Sequence, residues 1–326
     1  MSTQYQHARA IVLATLPDLT TPHYLGRIIS TAAQATRHRL LIILVSPLFD
    51  PNAISHTDNW DSVQRILTYI YVQATKVAQD MDKVLMEVDV LLKGPSESLP
   101  DNITDGVEVV YSLQGDTLPS NLPANIASLE FVYLEASVQD APLPTFQPSA
   151  SRVLQPLYPT VALGGTFDHL HAGHKILLSM AAWITSRRII VGVTDDALLK
   201  SKSNKDLLEP LKTRIARVRD FLALFRPGLV YDVVSIDDVY GPTKWDADIQ
   251  ALVVSKETLA GGTAIASHRS THGLPALETF VIDVISHSEP SLDHEDAELL
   301  KQTKLSSTFI REWIARHRNE EEKDEK

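Results

Sequence analysis

Apolar runs of strand length alternate with amphipathic runs of helix length in this chain, and the series occurs twice. From residue 9 the runs RAIVLAT, RLLIILVS, KVLMEVDVLL and VEVVYSL read as strands, with YLGRIISTAAQATRH and NWDSVQRILTYIYVQATKVAQD as helices among them. From residue 158 it restarts, with YPTVALGG, RRIIVGVTD, VYDVVSIDD, ALVVSKET and LETFVIDVI as strands. Helices are expected over 172–186 and over PLKTRIARVRDFLALFRP, where Ile215, Val218, Leu222 and Phe225 share one stripe. Strand and helix in alternation mean an α/β fold with parallel strands and right-handed crossovers. Ligands of such sheets gather beyond the carboxyl ends of the strands, where the segments after YPTVALGG, RRIIVGVT and ALVVS fall.

The two series are separated by a proline-rich stretch over 141–160, with Pro142, Pro144, Pro148, Pro156 and Pro159. Proline fixes φ and removes a backbone donor, so 141–157 is expected to be an extended linker between an N-terminal α/β domain (1–140) and a second domain (158–318). A short amphipathic helix carrying Phe309, Ile310, Trp313 and Ile314 on one side precedes the tail 319–326. That tail is charged and has no apolar anchor, so it is expected to be disordered.

Composition excludes several classes of function. With no cysteine the chain has neither disulfides nor thiolate metal sites, which suits a reducing compartment. A net charge of −11 argues against non-specific nucleic-acid binding. The N-terminus is polar and the apolar runs are only strand-sized, so neither a signal peptide nor a membrane span is expected. A cytoplasmic protein is the expectation, with access to the nucleus left open.

Chemistry concentrates in GGTFDHLHAGHK, residues 164–175. Gly164 and Gly165 end a strand and would let a ligand approach the backbone. A helix opens at Ala172 or Gly173, so its free N–H groups and positive dipole end suit an anion. His171 and His174 are three apart and share a face of the first turn, and Thr166 adds a hydroxyl. A zinc site on His169, His171 and His174 is the other reading. It would leave the glycines without a purpose, and no fourth ligand is near.

The H-x-G-H pattern after G-G-T-F-D resembles the HxGH nucleotidylyltransferase superfamily, and in particular the eukaryotic and archaeal type of phosphopantetheine adenylyltransferase. The resemblance extends over roughly 158–318 through VALGGTFDHLHAGHKILL, VGVTDDALLKSK, DVYGPT, VVSKETLAGG and LSSTFIR in family order. It implies a Rossmann-like, doubly wound parallel sheet. It also implies transfer of the adenylyl group of ATP to 4′-phosphopantetheine, giving dephospho-coenzyme A and pyrophosphate, with Mg2+ brought by ATP and no metal site in the protein.

By the same resemblance His174, Lys200 and Thr166 would be catalytic. Gly164, Gly165, His171, His174, Ser255, Glu257, Thr258, Ser306, Ser307, Thr308 and Arg311 would bind ATP. Thr166, Lys200, Lys202 and Arg214 would meet phosphopantetheine, with Lys200 preferred over Lys202 as the bridging lysine. Hydroxyls at a helix start are more often caps, and that reading is strong for Ser307 and Thr308. Arg214 is placed on the hydrophilic side of its helix, and His169 at the periphery. Leu305 stands where the family has isoleucine. The chain ends soon after LSSTFIR and has no G-x-x-x-x-G-K-[ST] loop, so it resembles the separate fungal enzyme without a kinase domain. Assembly with other enzymes of coenzyme A biosynthesis is a further expectation. The alternatives are a cytidylyltransferase, a nicotinamide mononucleotide adenylyltransferase, and a non-catalytic nucleotide-binding scaffold or sensor.

The first half carries an echo of this stretch. Set without gaps against 164–176, LATLPDLTTPHYL (13–25) places Thr15 on Thr166, Leu19 on Leu170 and His23 on His174. It lacks both glycines and has Thr20 where His171 stands. Residues 1–140 are therefore expected either to be a decayed nucleotidyltransferase-like unit without catalysis or an unrelated α/β domain.

Overall fold

A computed structural model describes residues 7–50, 53–118, 122–137, 154–200, 202–282 and 306–324. The chain divides into two compact units, Met1–Leu157 and Tyr158–Lys326. Most of the proline-rich linker, Leu305, and the end of LETFVIDVI lie outside the described residues.

The first unit runs β1 (His7–Thr15), α1 (Gly26–Ala35), β2 (Thr36–Val45), α2 (Trp60–Asp80), β3 (Glu87–Lys93), β4 (Val109–Leu113), the short α3 (Ala124–Ala127) and β5 (Glu130–Leu134). Its five strands pair in parallel in the order β3-β2-β1-β4-β5. Ala10 to Ala14 of β1 and Leu40 to Val45 of β2 are buried without a break, as expected of strands covered on both faces.

The second unit runs β6 (Tyr158–Gly165), α4 (Ala172–Trp183), β7 (Thr185–Thr194), α5 (Leu211–Phe225), β8 (Val230–Ile236), β9 (Ala251–Ser255), α6 (Leu259–Thr271), β10 (Glu278–Ile282) and α7 (Ser307–Asp324). Its parallel order is β10-β9-β6-β7-β8. A core of Ala162, Ile190, Leu252 and Val254 from its strands packs with Ile249 and with Ile265 of α6.

The alternation read from the sequence is the alternation of the structure, with local differences. The first helix of each unit ends earlier than expected, at Ala35 and at Trp183, because a buried threonine turns its hydroxyl back into the helix and the chain goes straight into a strand. The edge strand β5 and the helix α6 were not anticipated. The first is only five residues long, and the second carries Gly261 and Gly262 with few apolar side chains. The tail expected to be disordered is helical through Asp324, in keeping with glutamate and lysine being good helix formers. Among the described residues no helix is long and apolar enough to cross a membrane.

Candidate active site

The site is built at the carboxyl end of β6, the central strand of its sheet. Gly164 and Gly165 pair with Gly192 and Val193 of β7. A Cβ on Gly165 would lie 3.2 Å from the Phe167 ring, so the glycine lets that ring fold back and be buried. Phe167 and His169 both have left-handed backbones, with φ of 50° and 43°. Neither is glycine, and each such residue costs about 1–2 kcal/mol. Strain of this kind persists only where its surroundings over-determine it.

The surroundings here converge on Asp168, which is fully buried. Its carboxylate forms an ion pair with the buried Arg311 of α7. It also accepts from the Glu209 N–H at 2.9 Å. Its carbonyl accepts from the Ser307 hydroxyl at 2.7 Å. Beside it the His169 N–H donates to the Glu209 carboxylate at 2.9 Å, and His169 Nε2 lies 2.8 Å from the Leu207 carbonyl. His169, expected at the periphery, therefore anchors the turn, and Asp168, Glu209 and Leu207 join the site.

The helix α4 opens on this turn. His171 is its N-cap and makes no side-chain capping bond, so no side chain of the cap satisfies the first-turn N–H groups. The rings of His171 and His174 stack with centroids 3.8 Å apart, and the His174 ring lies 5.3 Å from that of Phe167. Nδ1 of each histidine is buried and has no partner among the described residues. Burial pushes both rings toward the neutral form, His174 down to about 3 and His171 well below its ordinary value. For His171 the neighbouring His174 and Lys175 add to the effect. Two neutral imidazoles beside an uncapped helix start can seat an anion, because a phosphate supplies the acceptor and the negative charge that both lack.

Arg214 is not on a hydrophilic face. It is completely buried and donates to the carbonyls of Glu209 (3.0 Å), Thr166 (2.7 Å) and Thr194 (2.9 Å) and to the Asp196 carboxylate. Its planar fork thereby ties the ends of β6 and β7 together. Arg311 is likewise occupied, by Asp168, the Ser203 carbonyl at 3.0 Å and the Thr308 hydroxyl at 3.3 Å.

The helix-cap role at α7 falls to Ser306, whose hydroxyl accepts from the Phe309 N–H at 3.2 Å, rather than to Ser307 or Thr308. Ser255 and Thr258 face each other across a capping box ahead of α6, 3.1 Å between hydroxyls, with Glu257 exposed beside them. Lys200 and Lys202 are both exposed on the loop after β7. Thr166, the histidines, Ser307 and Arg311 are thus brought together around the turn. Among the described residues no group of three or more histidines and carboxylates is arranged to hold a metal ion.

Residues 162–312 match the cytidylyltransferase-like family. The chain is 44% identical over 153 residues to the Saccharomyces cerevisiae protein named phosphopantetheine adenylyltransferase, covering 47% of this chain and 48% of that one. An uncharacterized Schizosaccharomyces pombe protein is 44% identical over 155 residues, with 48% of each chain covered. The Pyrobaculum aerophilum protein named phosphopantetheine adenylyltransferase is 35% identical over 156 residues, which are 48% of this chain and 92% of the archaeal one. The chain therefore spans about half the length of these fungal relatives and nearly all of the archaeal one.

Proposed function

The chain belongs to the cytidylyltransferase-like family, beside relatives named phosphopantetheine adenylyltransferase, and from that membership we propose that its second unit transfers the adenylyl group of ATP to 4′-phosphopantetheine. The observation that carries the chemistry is the uncapped start of α4 with the neutral, stacked His171 and His174 beside it.

In this reaction a phosphate oxygen of the acceptor attacks the α-phosphorus of ATP. The bond from the α-phosphorus to the bridging oxygen breaks, and pyrophosphate leaves with that electron pair. The attacking phosphate is already an anion at neutral pH, so a strong general base is not required. What is required is alignment, together with donors for the charge that grows as the α-phosphorus becomes five-coordinate. The α4 N–H groups and the His171 and His174 rings would hold the nucleotide's phosphates, with His174 at the reacting centre. Thr166 and Lys200 would align the acceptor, and Lys202 would flank it. Ser255, Glu257 and Thr258 would face the rest of the nucleotide. Mg2+ would come bound to ATP.

The test is pyrophosphate release by the full chain with ATP, Mg2+ and 4′-phosphopantetheine, each omitted in turn. Release requiring all three, with dephospho-coenzyme A formed, is the expected result. Release with CTP in place of ATP would assign a different nucleotide donor, and release with nicotinamide mononucleotide in place of 4′-phosphopantetheine a different acceptor.

A further inference from the structure

The two sheets share more than a class. Each has its first strand at the centre, the second and third on one side and the fourth and fifth on the other. That order recurs among unrelated proteins. The finer detail does not follow from the fold.

In the first unit His7 pairs with Thr36, the register slips, and Arg9 pairs with Arg39. In the second Tyr158 pairs with Thr185, the register slips at the same place, and Thr160 pairs with Arg188. Thr36 and Thr185 are both fully buried, and each donates its hydroxyl to the carbonyl four residues back, Ala32 and Ala181, at 2.7 Å in both cases. Arg39 and Arg188 then each reach across to the third strand. Arg39 is in register with Glu87 and bonds Asp89 at 2.8 Å, two residues further on. Arg188 is in register with Val230 and bonds Asp232 at 2.6 Å, again two residues further on. The remaining ladders agree as well. Ala10 pairs with Val109 and Val161 with Ala251, and the fifth strands answer with Glu130 and Glu278.

The copies part at the carboxyl end of the central strand. By these registers Leu13, Ala14 and Thr15 stand where the second unit has Gly164, Gly165 and Thr166. The Thr15 N–H, which would face a phosphate, donates instead to the Asp116 carboxylate at 2.8 Å. The Thr20 N–H is held by the Asp18 carboxylate at 2.8 Å. The Arg27 N–H, in the first turn of α1, is held by the Ser137 hydroxyl at 2.9 Å. These three N–H groups of the first unit are thus satisfied from within the chain, two of them by carboxylates that repel an anion.

We propose that the first unit is an internal duplicate of the nucleotidyltransferase unit whose anion seat is closed by the Asp116 carboxylate, leaving one nucleotide site per chain. The duplication stands on the sheet registers alone; the nucleotide half of the statement rests on the function proposed above.

The test counts sites on the full chain by equilibrium dialysis, with Mg2+-ATP and with inorganic pyrophosphate as probes. The wild type should bind one ATP, and Asp116→Ala should gain a second pyrophosphate site while keeping the first. Two ATP sites in the wild type, or no second pyrophosphate site in folded Asp116→Ala, would overturn the closed seat. A wild type that binds no ATP, with a pyrophosphate site gained by Asp116→Ala, would sink the proposed function and the nucleotide half of this inference and leave the duplication and the closed seat standing. Should Asp116→Ala fail to fold, His23→Ala decides. A silent copy keeps turnover within a few-fold, and loss of turnover by the folded variant would show the first unit to be catalytic.

Discussion

The Asp168 carboxylate and the Arg311 guanidinium, 143 residues apart in the chain, form a buried ion pair that joins the strained GGTFD turn to the C-terminal helix. Phe167 and His169 flank Asp168 with left-handed backbones, so the pair holds in place the stretch of chain that leads into His171.

Replacing Asp168 with asparagine strands a buried guanidinium. Breaking such a pair by removing one partner costs about 3–5 kcal/mol. The expected outcome is a loss of that size in urea unfolding, with a smaller additional loss when Arg311→Met is combined with it. A loss under about 1 kcal/mol would mean that the turn is held without the pair.

His174→Ala removes one donor to the reacting phosphate. Such losses cost about 2.7–4 kcal/mol, roughly 10²- to 10³-fold in turnover. Steady-state kinetics should show the fall in kcat, with ATP binding changed less. A change confined to KM would contradict the role.

The buried histidines make stability depend on pH. In the unfolded chain a histidine titrates near 6.5, whereas in the fold His174 is pushed down to about 3 and His171 well below its usual value. Between those limits the unfolded state binds more protons. Stability is therefore full above about pH 6.5 and declines as the pH falls toward 3. Urea midpoints across pH 7.5 to 4.5 should show the decline, and His174→Gln should flatten it. An equal slope in that variant would place the titration elsewhere.

Lys200 and Lys202 stand two residues apart on an exposed loop, and they are separable by kinetics. Lys200→Ala should lower kcat by about 10²-fold, the lower end for losing one donor to developing charge. Lys202→Ala should act mainly on the KM for the acceptor. The reverse pattern would exchange the two roles.

Much of this protein was legible locally. The parallel α/β units follow from apolar runs whose length and spacing suit strands and helices. The anion seat follows from two glycines, two histidines three apart and a helix start, all within twelve residues. The echo in the first half was visible as a few aligned residues, but its meaning waited for the sheet registers. Thr36 and Thr185 look unremarkable until each is seen to close the same bond.

Arg214 was misplaced because helical periodicity assigns an arginine to the wet face. Burying it requires acceptors from separate loops, the carbonyls of Thr166, Thr194 and Glu209, and no window of sequence brings those together. The same holds for Asp168 and Arg311. The sequence by itself determined which segments become strands and helices and where an anion would be welcome, because those properties come from neighbours along the chain. Only the tertiary structure decided which charges are buried as framework and which remain for a ligand. A charge is stable out of water only with partners, and those partners arrive from distant residues.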